Sequence, residues 1–171
     1  MDTHSCQEPG VVYPEKQFEK ALASVIQAHL QGSVASVIVP RFGLDFGVFM
    51  YHPIAPRAVF VEAKSYGGQR QGGVGFGDRH GEGPQVDLLL SSMDQLAILD
   101  SHVRWAFADA TQPYGASRYA LLACSEARDV AMGGVARGKQ NNFRVSGLAG
   151  HRITWATFCE RLLAFVSGTK S

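Results

Sequence analysis

Charged residues are scarce in this sequence, and they leave it with almost no net charge. They make up 18% of the 171 residues, below the roughly 25% of ordinary soluble domains. Lys and Arg number 16 and Asp and Glu number 15, for a formal net charge of +1. With hydrophobic residues at 46%, this composition excludes an intrinsically disordered chain. The charge balance also excludes a protein that coats nucleic acid through a global basic field, so contacts with a polyanion must come from local patches.

Cysteine is also sparse, and its spacing forms no motif. Cys6, Cys124 and Cys159 include no CxxC pair, which excludes a disulfide framework and a cysteine-rich zinc site. Cys124 and Cys159 lie in apolar runs and are predicted to be buried packing residues.

The sequence lacks a long hydrophobic run as well. No window reaches the ~18 uninterrupted apolar residues that a membrane-spanning helix needs. The polar first ten residues lack the apolar stretch of a secretory signal. These absences predict a cytoplasmic protein without a membrane partner. The length suits one domain, which we expect over 14–171, after a flexible N-terminal arm over 1–13.

What the sequence does contain is a succession of helical and strand patterns typical of an α/β (α+β) domain. The predicted elements in chain order are a helix over 15–31, strands over 33–39, 44–51 and 58–64, a glycine-rich loop over 65–84, a helix from 85 to 107, a strand over 118–124, an irregular segment over 125–150 with a short strand at 142–146, and a helix between Thr154 and Gly168. Short connections favour an antiparallel meander of the first three strands. We therefore expect a mixed central sheet flanked by helices, with an extra C-terminal helix.

Three charged residues interrupt the apolar strands. Asp45 begins the second strand, and Glu62 and Lys64 end the third. Because strand side chains alternate, Glu62 and Lys64 are expected on one face of the sheet. Pairing of the second and third strands as a hairpin would bring Asp45 beside Glu62. Burying an unpaired charge is costly, so this placement indicates a functional site.

The chemistry of these three side chains favours a metal-dependent reaction. Two neighbouring carboxylates repel each other unless a cation lies between them, and Mg²⁺ takes one or two carboxylates together with phosphate oxygens. We expect Mg²⁺, with Mn²⁺ as a substitute. A lysine two residues away can orient an attacking water or stabilise charge that develops on phosphorus. The set predicts hydrolysis of a phosphodiester.

This charged pattern resembles a known family in motif and in topology. Asp45 on the second strand and Glu62-Ala63-Lys64 on the third strand of an αβββαβ core are similar to the PD-(D/E)xK nuclease superfamily, which has the restriction-endonuclease-like fold. The resemblance covers roughly 15–124, and Leu44 stands where the family has a proline. It implies a metal-dependent, endonuclease-like enzyme that acts on nucleic acid, DNA rather than RNA. It also implies a homodimer, which would pool two sets of basic residues.

The resemblance implies further residues of the site. In the family, a glutamate on the first helix often completes the metal site. We expect Glu19 in this role beside Asp45 and Glu62, with Glu15 as the second choice. Some members also have a glutamine after the lysine or on the second helix. The candidates for it are Gln69, Gln85 and Gln95, and the sequence does not rank them.

Two basic stretches are candidates for contact with a sugar–phosphate backbone. The glycine-rich loop holds eight of the 19 glycines and is predicted to be a flap that carries Arg70 and Arg79. The second stretch contributes Arg137, Lys139 and Arg144, since Arg and Lys bind phosphates. A solvated surface loop is the alternative interpretation of the second stretch.

Other interpretations of the charged residues remain open. Asp45 could be a turn residue, and Glu62 with Lys64 a solvent-exposed pair at a strand end, which contributes little stability. The fold could also persist in a catalytically silent module that binds nucleic acid or protein, which predicts no dependence on divalent metal. An unrelated α/β scaffold predicts that the carboxylates of Asp45 and Glu62 lie far apart.

Overall fold

The structure, a computed structural model, describes residues 6–30, 35–38, 46–50, 57–68, 73–76, 84–135 and 142–169. Its helices are α1 (Glu15–Leu30), α2 (Pro84–Leu89), α3 (Met93–Leu99), α4 (Cys124–Val135) and α5 (Trp155–Ser167), with a 3-10 turn at Ala149–His151. Its strands are β1 (Ala35–Ile38), β2 (Phe46–Met50), β3 (Arg57–Tyr66), β4 (Gly73–Gly75), β5 (Val103–Asp109), β6 (Tyr119–Leu122) and β7 (Asn142–Arg144). Together they form the α+β class that the sequence predicts.

Five of the described strands form one mixed sheet in the order β1-β2-β3-β5-β6. β1 pairs with β2, and β2 with β3, in antiparallel register, which confirms the predicted meander. β5 then pairs with β3 in parallel, and β6 pairs with β5 antiparallel. A parallel neighbour needs a crossover connection, and α2 and α3 lie in the chain between β3 and β5. β3 is therefore the central strand of the sheet.

The first and last helices match the sequence prediction. The apolar face of α1 is buried as its spacing requires, through Phe18, Leu22, Val25, Ile26 and Leu30. α5 begins after Thr154, whose side chain accepts a hydrogen bond from the backbone N–H of Thr157. It ends at Gly168, which adopts the left-handed conformation with φ 71°. Within the described residues, no helix has the length and apolar character needed to cross a membrane.

The helix predicted from 85 to 107 is wrong over most of its length. α2 and α3 are two short helices in this segment, and the chain from Val103 forms strand β5. The helices are separate because the side chains of Ser92 and Gln95 form a capping box that starts α3. The sequence pattern did not predict β5 as a strand, because both of its faces are buried. Its apolar residues therefore form a continuous run rather than an alternating one.

Two segments that were expected to be irregular contain regular structure. The segment over 125–150 begins within helix α4. The N-terminus of α4 is held by a residue that is distant in the sequence. The Asp100 carboxylate accepts hydrogen bonds from the N–H and the hydroxyl of Ser125. The short strand predicted at 142–146 is confirmed as β7. The glycine-rich segment over 65–84 includes β4, which pairs antiparallel with β7.

The sheet lies between two hydrophobic cores. On one side, alternate residues of β3 from Val59 to Ala63 pack with α1 and α5. On the other side, Phe60 and Tyr66 pack with aromatic residues of β5 and β7. Because side chains alternate along a strand, Glu62 and Lys64 belong to this second side.

The described part of the N-terminal segment, residues 6–13, is packed against the domain. The Glu8 carboxylate accepts a hydrogen bond from the Arg118 side chain at 2.9 Å, and both side chains are buried or nearly so. The Trp155 indole donates to the backbone oxygen of Cys6 at 2.9 Å. The predicted flexible arm is therefore held in place over its described residues.

Candidate functional site

Strand β3 presents two buried charged residues side by side. Glu62 is completely buried and Lys64 is 5% exposed. The Nζ atom of Lys64 and the Oε1 atom of Glu62 are 2.6 Å apart, so the two side chains lie on one face, as the alternation predicts. The alternative interpretation, a solvent-exposed pair at a strand end, is therefore wrong.

Helix α2 contributes a glutamine to this pair. Gln85 donates a hydrogen bond from its side-chain amide to Oε1 of Glu62. The helix is placed for this contact because Val86, the next residue, is buried in the core on the same side of the sheet. Of the other two candidate glutamines, Gln95 uses its side chain in the capping box of α3. Gln69 lies outside the described residues.

Helix α1 contributes a second carboxylate. The Oε1 atom of Glu15 is 3.3 Å from Nζ of Lys64, and the Glu15 side chain is 37% exposed. Glu15 is the first residue of α1, so the packing of this helix on the sheet brings the carboxylate to the end of β3. Glu19, the first choice from the sequence, lies one turn further along α1 and is half-buried. Glu15, the second choice, forms an ion pair with Lys64, and the role of Glu19 stays a prediction.

These four residues, Glu15, Glu62, Lys64 and Gln85, form a carboxylate–lysine cluster. Asp45, the other predicted metal ligand, lies outside the described residues. Its chain neighbour Phe46 begins β2 and has Val61 as its register partner. Val61 directly precedes Glu62 in the sequence.

The donor atoms of the cluster match a hard divalent cation. Glu15, Glu62 and Gln85 offer oxygen ligands, the type that Mg²⁺ prefers. An ionised carboxylate has about four lone-pair positions, so Glu62 has the capacity to serve Lys64, Gln85 and a cation together. Among the residues that the structure describes, no group of three or more His, Cys, Asp or Glu is placed to hold a metal ion. Asp45, the predicted metal ligand, is not among these residues.

The predicted contacts with nucleic acid fall into two groups. Arg144, in β7, is exposed to solvent. The preceding residue, Phe143, is completely buried and its ring centre lies 4.7 Å from that of Phe76, so it belongs to the core and is not available to stack on a base. Arg70, Arg79, Arg137 and Lys139 lie outside the described residues, and their roles stay predictions.

Cys124 and Cys159 are buried, as the sequence predicts. Burial raises the pKa of the Cys124 thiol to about 11, and burial also raises the pKa of Cys159. The thiolate, not the thiol, is the nucleophile and metal ligand. Neither cysteine is therefore a candidate for covalent or metal chemistry.

Sequence analysis missed a second group of charged residues, which lies toward the start of β3. Arg57, Arg104 and Arg161 line one groove there, although they come from β3, β5 and α5. No spacing rule joins positions on three separate elements. One sequence signal could have indicated this group: Arg57 and Arg104 each lie near the start of an apolar strand. A charge in such a strand requires a partner or solvent.

Comparison with known proteins adds no family to these observations. A scan against protein-family models, a search of curated proteins and a search of solved structures each returned no match. The similarity of Asp45, Glu62 and Lys64 to the PD-(D/E)xK pattern therefore stays a prediction, and the functional inference depends on the chemistry of the described residues.

Proposed function

We propose that this protein is a Mg²⁺-dependent phosphodiester hydrolase of the PD-(D/E)xK type, an endonuclease-like enzyme that acts on DNA. The observation that carries the proposal is the buried contact of 2.6 Å between Glu62 and Lys64 on β3. A buried ion pair often adds no stability relative to well-packed apolar residues of similar volume. Charged groups that are kept inside a fold together with a specific partner are typical of functional sites.

The order of the elements supports the same proposal. A helix, three antiparallel strands, the short strand β4, a helical crossover and a strand parallel to the third strand follow each other along the chain. This order is similar to the αβββαβ core that the resemblance implies, with β4 as an addition. The strand that would complete the core is β5, whereas the strand predicted over 118–124 corresponds to β6, the next strand of the sheet. Since one fold can host many activities, the proposal depends on the site residues.

In this proposal, Glu62 and Asp45 hold the metal ion, and Glu15 or Glu19 supports it from α1. When bound, Mg²⁺ supplies Lewis-acid polarisation of a phosphoryl oxygen and makes a bound water more acidic. Gln85 is a positioning residue, because its described contact is with the Glu62 carboxylate. Outer partners of this kind fix the orientation of a ligating side chain.

Lys64 supplies positive charge next to the carboxylates. Its ammonium group has three donors, and the described contacts place it between Glu62 and Glu15. An ammonium held in this way can orient a water molecule for attack on phosphorus. It can also stabilise the negative charge that develops on the phosphoryl oxygens in the transition state, without reorganising at that moment.

DNA binding would depend on local basic residues, since the net charge of the protein is only +1. Arg144 is exposed in β7. The other candidates, all outside the described residues, are Arg70, Arg79, Arg137 and Lys139. Contacts of Lys and Arg with phosphates release counterions, so we expect DNA affinity to fall as salt rises. A homodimer would pool two such sets and present one site to each strand of a duplex.

Cleavage of plasmid, single-stranded and branched DNA with and without Mg²⁺ tests the proposal. The wild type should cleave at least one of these substrates with Mg²⁺ or Mn²⁺ and none of them with EDTA. Glu62→Gln and Lys64→Met keep the side-chain size and remove the charge. Each should lower the cleavage rate by about 100-fold or more, the scale for loss of one preorganised electrostatic contact.

Glu160→Gln and Lys20→Met are matched controls, since both side chains are exposed on helices and neither residue belongs to the cluster. Circular dichroism and the unfolding midpoint of each variant show whether it is folded. Equal cleavage by the wild type and by the Glu62 and Lys64 variants would mean a contaminating nuclease and would reject this site. Activity that persists in EDTA would reject the metal-dependent mechanism.

A second candidate function is a nucleic-acid-binding or protein-interaction module that keeps the fold without catalysis. It is favoured by the finding that the described ranges contain no group of three metal-ligating side chains. It predicts that the wild type binds DNA without any dependence on divalent metal. It also predicts that Asp45→Ala and Glu62→Gln bind as tightly as the wild type. Divalent-dependent cleavage that disappears in these variants would exclude it.

A further inference from the structure

Three arginines of the described chain line an open groove next to α5. Arg57 begins β3, Arg104 is the second residue of β5, and Arg161 lies on α5. The groove has a volume of about 900 Å³, within the roughly 300–1,000 Å³ of small-molecule sites. It lies on the α5 side of the sheet, whereas Glu62 and Lys64 lie on the other side, so this arginine groove is distinct from the carboxylate–lysine cluster.

The end of α5 holds two of the guanidinium groups in place. Arg57 and Arg104 lie over the ring of Phe165, 5.7 and 4.3 Å from its centre. The Nη2 atom of Arg57 donates to the backbone oxygens of Phe165 at 3.1 Å and of Ser101 at 3.4 Å. The Nη1 atom of Arg104 donates to the backbone oxygen of Asp100. Because these groups are already ordered, a ligand that binds them loses less conformational entropy.

The described hydrogen bonds use only part of the donor capacity of the groove. A guanidinium group has five N–H donors, and the bonds above engage Nη2 of Arg57 and Nη1 of Arg104. The Nε atom of Arg57 is buried without a hydrogen-bond partner in the described part of the chain. Arg161 is exposed. Arg57 donates to a backbone oxygen near the end of α5, so capping of this helix explains that contact. It does not explain why Arg104 and Arg161 also line the groove.

The groove has an excess of positive charge. The ion pairs between described residues involve Lys64, Arg118 and Arg152, and none of the groove arginines. Asp100, the carboxylate that lines the groove, accepts hydrogen bonds from the N–H and hydroxyl of Ser125. Three arginines and one aspartate line the groove, and Glu126 also acts on Arg104, so the positive charges exceed the negative ones by one (3 − 2 = 1).

Arg104 is partly withdrawn from water. Burial lowers the pKa of its guanidinium group, Asp100 and Glu126 act in the opposite direction, and the neighbouring Arg57 lowers the pKa by a smaller amount. An anion beside the two guanidinium groups would favour their charged forms.

We propose that the arginine groove is a binding site for the phosphate groups of a ligand. Guanidinium groups bind phosphate with paired hydrogen bonds, and a phosphate group carries enough charge to match the excess in the groove. The arginines lie on three elements and the groove is larger than one phosphate, so we expect a ligand with at least two phosphate groups. Arg57 and Arg104 cover a face of the Phe165 ring, so recognition depends on charge and not on stacking of a base.

Phosphate groups of this kind occur in free di- and triphosphates and in the backbone of nucleic acid. Calorimetric titration with inorganic pyrophosphate, in EDTA and at constant ionic strength, tests the site itself. We expect saturable binding to the wild type. Arg161→Gln should weaken this binding by about tenfold, the usual effect of losing one hydrogen bond to a charged group. Lys20→Gln, which removes an exposed positive charge on α1, should leave it unchanged.

A second titration, with duplex DNA in EDTA, separates the two sources of phosphate. If the groove holds a nucleic-acid backbone, Arg161→Gln weakens DNA binding as well, and pyrophosphate competes with DNA. If the natural ligand is a free di- or triphosphate, Arg161→Gln loses pyrophosphate binding and retains DNA binding.

Two results would overturn the proposal. One is the absence of saturable binding of both probes to the wild type, and the other is equal binding of both probes to the wild type and to Arg161→Gln. The pyrophosphate titration excludes divalent metal and leaves Glu62 unchanged, so its failure would not bear on the proposed hydrolase.

Discussion

The two charged regions along β3 differ in how their charges are compensated. In the carboxylate–lysine cluster, the Lys64 ammonium has carboxylates at 2.6 and 3.3 Å, from Glu62 and Glu15. In the arginine groove, Arg57 and Arg104 lie over an aromatic ring and donate to backbone oxygens. The first region is an internal network in which opposite charges fix one another. The second keeps like charges together beside solvent, where a ligand of opposite charge would compensate them.

This contrast has an energetic consequence. Removal of one member of a buried ion pair leaves an uncompensated charge and typically costs about 3–5 kcal/mol. Removal of one member of a like-charged group at the surface relieves repulsion and leaves stability almost unchanged. Substitutions in the two regions should therefore separate stability from binding.

The largest expected effect is that of Lys64→Met on stability. The substitution keeps the length of the side chain and leaves the Glu62 carboxylate, which is completely buried, without its closest cation. We expect the free energy of unfolding to fall by about 3 kcal/mol, as measured by urea denaturation at pH 7.

The double variant Glu62→Leu/Lys64→Met is the control for this prediction. It removes both charges, so it should recover much of the stability that Lys64→Met loses, because apolar replacement of a buried pair is often neutral or stabilising. A double variant that is less stable than either single variant would show that the pair itself stabilises the fold.

The next effect in size is that of Gln85→Leu. This substitution removes the amide that donates to the Glu62 carboxylate and keeps an apolar side chain of similar size. Loss of a hydrogen bond to a charged group should lower the free energy of unfolding by about 1.5 kcal/mol. Gln112→Leu offers a comparison at a turn outside the cluster. If both variants lose the same stability, Gln85 has no special part in the cluster.

Gly168→Ala should have a smaller effect, located at the arginine groove. Gly168 has φ +71°, and a Cβ atom there would lie 2.9 Å from Nη1 of Arg57. A left-handed conformation costs a residue with a Cβ atom roughly 1–2 kcal/mol, so we expect a loss of about 1 kcal/mol in the same denaturation assay. Pyrophosphate binding should weaken too, because Arg57 must move. Gly10→Ala is the control, since a Cβ atom at that position would have no neighbouring atom within 4 Å.

The smallest expected effect on stability is that of Arg161→Gln. Arg161 is exposed, so the free energy of unfolding should change by no more than about 0.5 kcal/mol, while phosphate binding falls. Thermal unfolding with and without pyrophosphate measures both quantities in one experiment. A stability loss as large as that of Lys64→Met would mean that the arginines form a structural network, and the contrast between the two regions would disappear.

The local sequence pattern was sufficient to predict an element that has one apolar face and clear signals at its ends. α1 has its apolar residues at helical spacing, and α5 lies between a capping threonine and a glycine. Local pattern failed for β5, because a strand buried on both faces lacks alternation. It also failed for α4, whose first turn is held by Asp100 from another part of the chain. In both cases the missing information came from neighbours in space.

The sequence by itself determined that Glu62 and Lys64 share a face of a strand, since the period of a strand sets the direction of each side chain relative to its own backbone. Only the tertiary structure decided which residues meet them, namely Glu15 and Gln85, and that arginines from three elements line one groove. The physical reason is that periodicity describes one element at a time. Distances between elements depend on how the whole sheet packs with its helices.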